Sequence, residues 1–167
     1  ASIEKLRARA EIIRRIRAFF DVRDYLSVET PNLAGTPIPE SHLQLFATDL
    51  IRPDHRRDSG ESTTTHRLFL LPSPEYYLKR LLAAGSGSLY EITHSLRNLE
   101  SVSSQHNPEF TMLEYYTVAA DGDDSLAITR ELLAAVGVSE ETETLTMAEA
   151  FERFAGIDLE ATLGGPN

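Results

Sequence analysis

A guanidinium, a flat aromatic ring, a carboxylate and a phenol fall in one short stretch of this chain, at Arg97, Phe110, Glu114 and Tyr116. Phe110, Met112, Glu114 and Tyr116 occupy alternate positions, so an extended strand puts them on one face. Arginine presents a planar fork that pairs with a phosphate or carboxylate through two bonds. Phe110 offers a face on which a nucleobase can stack, and Glu114 and Tyr116 offer acceptors for an ammonium group. Together they suit a nucleotide bound beside a cationic metabolite. The same residues also read as a sheet with a mixed face, in which Phe110 and Met112 are core, Glu114 is solvated and Arg97 is a strand-end charge. Residue types alone leave both readings open.

Two strands within residues 88–118 must position this set. The first alternates Tyr90, Ile92, His94 and Leu96 against Leu89, Glu91, Thr93, Ser95 and Arg97. Between the strands, Ser101, Ser103, Ser104, Gln105, Asn107 and Pro108 supply turn chemistry, and their polarity predicts a surface loop. Arg97 at its entrance and His106 near its exit can close over an anion.

Upstream, Ser2 predicts an N-cap for a helix over residues 3–20. Leu6, Ala10, Ile13, Ile16 and Phe20 form its apolar stripe, widened by Ile12 and Phe19, and that stripe must bury. Residues 25–30 read as a strand ended by Pro31. Residues 33–39 are irregular, residues 42–50 form a weakly alternating strand, and residues 52–65 form a polar surface loop. His55 and His66 have no partner at metal-ligand spacing and read as solvated. After a short strand over residues 67–71, Ser73-Pro74-Glu75 is an orderly helix start, and the helix runs to about Ala84 before Gly85 stops it. Further on, Asp121-Gly122-Asp123-Asp124 caps a helix over residues 125–136 stopped by Gly137. Thr146 and Glu149 form a capping box for a helix to about Ala155, stopped by Gly156, with a last turn over residues 158–163. Residues 120–167 show packing positions and no chemistry.

Composition narrows the function class. Sixteen basic against 26 acidic residues give a net charge of −10, which disfavours a domain whose main task is gripping a phosphate backbone. The basic clusters between Lys5 and Arg23 and between Arg52 and Arg67 read as solvated faces. The absence of cysteine excludes disulfides and thiolate chemistry. A length of 167 residues with 41% hydrophobic content predicts a single domain, residues 1–167, with a substantial core. No run reaches the length of a membrane span, the opening lacks signal-peptide features, and a cytoplasmic location is expected.

One stretch is more specific than any of these patterns. Arg97-Asn98-Leu99-Glu100, followed by the uninterrupted run HNPEFTMLEYY from His106 to Tyr116, closely resembles motif 2 of the lysine-type class II aminoacyl-tRNA synthetases. The helix, strand and proline ending in YLSVETP resemble motif 1. SPEYYLKRLLAAGSG resembles the segment in which a glutamate after proline contacts an amine of the bound amino acid, and its LLAAGSG ending is closer to the paralogues that modify elongation factor P. The resemblance spans about residues 3–155.

The resemblance implies an α+β fold with an antiparallel sheet flanked by helices, and a homodimer. It also implies ATP and Mg2+ as cofactors and activation of lysine or β-lysine as an aminoacyl-adenylate. The implied acceptor is a lysine of elongation factor P. The alternatives are a lysyl-tRNA synthetase fragment acting on tRNA-Lys and a non-catalytic amino-acid-binding paralogue. By position, Arg97 would hold the α-phosphate and the substrate carboxylate, His106 would lie near the distal phosphates, and Phe110 would stack on adenine. Glu100 and Asn107 would also face ATP, and Glu75, Glu114 and Tyr116 would face the substrate amino groups. The chain departs from the family pattern in two places. Glu100 and His106 each sit one residue later than the pattern, which leaves Leu99 at the expected carboxylate position. Nothing like the glycine-rich motif 3 follows, so an incomplete catalytic domain with weak or absent activity is expected of these 167 residues alone.

Overall fold

The computed structural model describes residues 2–37, 42–53, 63–99, 103, 106–138 and 142–163. In chain order the elements are α1 (Ile3–Asp21), β1 (Leu26–Ser27), β2 (Leu33–Ala34), β3 (Ala47–Pro53), β4 (Thr63–Leu70), α2 (Glu75–Ala83), β5 (Leu89–Leu96), β6 (Glu109–Tyr116), α3 (Gly122–Ala135), α4 (Met147–Ala155) and α5 (Leu159–Leu163). They form two three-stranded sheets, ordered β1-β5-β6 and β2-β4-β3. The expected α+β class holds. The site-bearing sheet is mixed rather than purely antiparallel, because β1 runs parallel to β5.

The hairpin reads as its alternation predicts. β5 and β6 pair antiparallel from Leu89 opposite Tyr116 to Leu96 opposite Glu109. Tyr90, Ile92, Leu113 and Tyr115 therefore share one face, and it packs on the C-terminal half of α1 and on α3. Phe20 is fully buried at the centre. Its ring stacks on Tyr90 at 4.7 Å and meets Tyr25, Tyr115 and Phe19 at 5.0, 5.1 and 5.1 Å. The phenols keep polar partners at the rim of this cluster: Tyr90 Oη donates to Asp21 Oδ1 at 2.9 Å, and Tyr25 and Tyr115 pair with the hydroxyls of Thr117 and Thr129. Arg23 ties α1 to α3, with its guanidinium 3.7 Å from the Phe19 ring centroid and an ion pair to Glu131 at 2.8 Å.

The predicted burial of the α1 stripe is met only in part. Phe19 and Phe20 are buried and Ile13 and Ile16 half-buried, whereas Leu6 and Ile12 remain 51% and 44% exposed. The apolar cluster of the hairpin and α3 covers only the C-terminal half of this 19-residue helix, and further up the contact is polar, with Arg9 donating to Thr111 Oγ1 of β6 at 2.7 Å. The expectation of a surface loop over residues 52–65 is also corrected at both ends. Arg52 and Pro53 close β3, and Thr63, Thr64 and Thr65 open β4 in register with Pro53, Arg52 and Ile51. A run of β-branched threonines favours the pleated backbone even where both faces are wet. Residues 54–62, including His55, lie outside the described residues.

Helix ends follow local rules. Thr146 and Glu149 make the reciprocal capping box of α4, and Gly156 ends it at φ +65°. Asp121 and Asp124 make another at α3, which starts at Gly122, ahead of the expected residue 125. Removing the central ring should be costly. Phe20→Ala is expected to lower stability by about 3–5 kcal/mol, read as a reduced urea midpoint in far-UV circular dichroism.

Candidate active site

With Tyr90, Ile92, Leu113 and Tyr115 under α1, the opposite face of the hairpin carries Glu91, Thr93 and Ser95 on β5 and Phe110, Met112, Glu114 and Tyr116 on β6. Two groups of side chains assemble there. At the loop end, the Arg97 guanidinium carbon lies 5.1 Å from the centroid of the Phe110 ring, within cation–π range. The hairpin ladder is extended by Arg97 N–H donating to Pro108 O at 2.9 Å, and Asn98 N–H donates to Gln44 O at 2.9 Å. Arg97 and Phe110 are both half-buried.

At the other end, Glu114 is held by two hydroxyls. Ser73 Oγ donates to Oε2 and Tyr116 Oη to Oε1, both at 2.7 Å. Ser73 Oγ in turn accepts from Glu75 N–H at 3.1 Å, so one serine joins the start of α2 to the carboxylate of β6. Sequence reasoning assigns Ser73 to capping alone; here Pro74 is the N-cap and Ser73, one residue earlier, has both tasks. The half-buried Glu75 opens α2 and pairs with Lys79 one turn on. Phe110 and Glu114 are four residues apart on one strand face, roughly 13 Å at the usual rise per residue.

Glu91 is a second residue whose part sequence reasoning does not assign. It faces Glu114 across the ladder and is only 2% exposed. Like charges directly opposite on a sheet repel. The offset is local: Thr30 donates its backbone N–H to Glu91 Oε1 at 2.9 Å and its hydroxyl to Oε2 at 2.8 Å. These bonds clamp the segment before Pro31 onto the site face. Period-two alternation already places Glu91 in line with Arg97, which is the signal that marks it.

The remaining expected residues lie at the loop. His106 is exposed, its N–H donates to Ser103 Oγ at 3.1 Å, and its Nδ1 is 3.1 Å from the same oxygen. Asn107 is exposed beside it. Glu100 lies outside the described residues. Leu99, at the position where the family pattern has a glutamate, is 76% exposed with a left-handed φ of +55°. The structure thus brings Arg97 together with Phe110, and Glu114 with Tyr116, Ser73 and the start of α2. Among the described residues, no group of three or more His, Asp or Glu side chains converges to hold a metal ion.

Burial first, then the hydrogen bond to Glu114, then the charges of Glu114 and Glu75, push the Tyr116 phenol well above its ordinary value. The phenol binds its proton more tightly in the folded state. Its contribution to stability is therefore full below about pH 10 and is lost as pH rises through the folded value. Glu114→Gln removes the charge of the nearest carboxylate and leaves the burial. The Tyr116 ionisation should fall towards the ordinary range without reaching it, as read by 13Cζ-tyrosine NMR against pH; an unmoved resonance would disprove the coupling.

Comparison with known proteins places the chain in a family. Residues 1–162 match the family described as tRNA synthetases class II (D, K and N). The chain is 40% identical over 158 residues to the elongation factor P–(R)-beta-lysine ligase of Actinobacillus succinogenes, which covers 95% of this chain and 46% of the relative. The proteins of the same name from Pseudoalteromonas translucida and Pasteurella multocida are 42% and 41% identical, with the same coverage. The chain spans about half the length of these curated relatives. A match across residues 1–162, which include the hairpin that carries Arg97, Phe110 and Glu114, makes the chain a member of the class II tRNA synthetases of the D, K and N group.

Proposed function

We propose that this chain carries the ATP and amino-acid site of an enzyme that activates a lysine-type amino acid and transfers it to a lysine of elongation factor P. The observation that carries this reading is the two-ended face of the hairpin, with a guanidinium over an aromatic ring at one end and a hydroxyl-braced carboxylate at the other. In the first step the substrate carboxylate attacks the α-phosphorus of ATP, the bond to pyrophosphate breaks, and an aminoacyl-adenylate forms. In the second, the acceptor amine attacks the carbonyl and AMP leaves.

The protein supplies positioning and charge rather than a nucleophile. Arg97 neutralises the α-phosphate and the substrate carboxylate as they approach. Phe110 stacks the adenine, and His106, Asn107 and Glu100 line the nucleotide, the last of them assigned by sequence position. Glu75, Glu114 and Tyr116 receive the amino groups. Magnesium, on this reading, would be held mainly by the phosphates of ATP and would supply charge neutralisation there. The names of the relatives support elongation factor P and β-lysine over tRNA and α-lysine, and a net charge of −10 adds to the case against a polyanionic acceptor. No helix among the described residues is long and apolar enough to cross a membrane, and the cytoplasm, where ATP and the acceptor reside, is the proposed location. The open N-terminal half of α1, with Leu6 and Ile12 exposed, supports a homodimer through that helix.

Calorimetric titration of this chain should show saturable binding of ATP and of a lysine isomer. Phe110→Ala should weaken ATP by about 1–3 kcal/mol, and Arg97→Lys should not restore what Arg97→Ala loses. Pyrophosphate exchange, then transfer of labelled amino acid to elongation factor P or to tRNA, identifies reaction and acceptor. Unchanged nucleotide affinity in Phe110→Ala would overturn the site, and labelled tRNA alone would overturn the acceptor. In light scattering, Leu6→Glu with Ile12→Glu should shift a dimer to monomer; a wild-type chain that is monomeric at every concentration rules the dimer out.

A further inference from the structure

The proposed amino-acid end of the site contains a cation of its own. Lys79 lies one turn after Glu75 on α2, and its Nζ meets Glu75 Oε1. Its ammonium also feels the charge of Glu114. The Glu75 carboxylate therefore already holds a resident ammonium, and the oxygens of the neighbouring Glu114 are engaged by Ser73 and Tyr116. A substrate ammonium that approaches Glu75 meets an acceptor already in use. A carboxylate has lone pairs for more than one donor, yet two ammonium groups on it repel each other.

Resting on the reading of Glu75 as a substrate contact, we propose that Lys79 is a built-in competitor, whose ammonium covers the Glu75 carboxylate until a cationic amino acid displaces it. The pair suits that task. Both side chains are substantially exposed, 60% for Lys79 and 44% for Glu75, and exposed i,i+4 pairs are weak. Displacement is therefore cheap. The hydrogen bond and charge of Glu75 hold the Lys79 ammonium above the usual lysine range, so it stays charged at neutral pH. The device keeps the unliganded acidic end of the site face partly neutralised, and it favours ligands whose ammonium is delivered by further contacts over free cations.

The test is calorimetric titration of the chain with L-lysine, norleucine and 6-aminohexanoate, the last two each keeping one of lysine's two ammonium groups. Lys79→Met should tighten L-lysine by about two- to fivefold, the worth of an exposed pair, and should tighten just one of the two analogues, the one whose ammonium reaches Glu75. Lys79→Arg should behave as wild type. Arg80→Met removes the same charge from a side chain that lies over Tyr76 instead, and should change nothing. Equal gains for both analogues, no gain for L-lysine, or an equal gain in Arg80→Met would each overturn the proposal. Failure of the wild-type chain to bind either L-lysine or β-lysine would overturn the site reading and this inference with it. If wild type binds and Glu75→Gln weakens binding while Lys79→Met does nothing, the inference alone falls.

Discussion

Phe20 sits against Tyr25, Tyr90 and Tyr115 with no surface left to water, and this aromatic contact decides which way the hairpin faces. Side chains on a strand alternate, so burying Tyr90, Ile92, Leu113 and Tyr115 turns Glu91, Ser95, Phe110, Glu114 and Tyr116 to the other side. A slip of one residue would exchange the two sets, with carboxylates against Phe20 and aromatics in water. The free-energy difference between those outcomes holds the register, and the register assembles the site. The site face is therefore a consequence of the core and needs no separate device to orient it.

Assembling acidic groups on one face carries a cost, and the neighbouring segments offset it. Glu91 and Glu114 face each other across the ladder. Glu91 accepts two hydrogen bonds from Thr30, which also draw the segment leading to Pro31 onto the sheet. Glu114 is braced by the hydroxyls of Ser73 and Tyr116. Charge-assisted hydrogen bonds are stronger than neutral ones, and each of these is drawn from a different part of the chain. The same bonds that make the carboxylates tolerable fix where they point.

The division of α1 shows the same logic from the apolar side. One continuous stripe runs along the helix, but the hairpin and α3 cover only its C-terminal end. The N-terminal part keeps large aliphatic groups in water, at Ile3, Leu6 and Ile12. The stripe's periodicity announces a buried face; what buries it depends on which surfaces the fold brings near.

How much of this was legible beforehand divides along the range of the forces involved. The hairpin, its two faces, the capping box at Thr146 and the glycine stops, and the family itself follow from local rules. Alternation, side-chain hydrogen bonds within one turn and an eleven-residue motif all act between near neighbours in the chain. The partner of each strand did not follow. The parallel pairing of β1 with β5, the extension of β4 back to Thr63 and the half-covered α1 depend on which surfaces meet. Nor did the double task of Ser73, the clamp of Thr30 on Glu91, or the resting of Arg97 over Phe110. Apart from the bond of Ser73 to Glu75, those contacts join residues distant in sequence, and their energy exists only once the chain has closed the loops between them. Residue types alone determined which chemical groups this protein can bring to a ligand; the packing of one aromatic cluster decided that they stand together on one face.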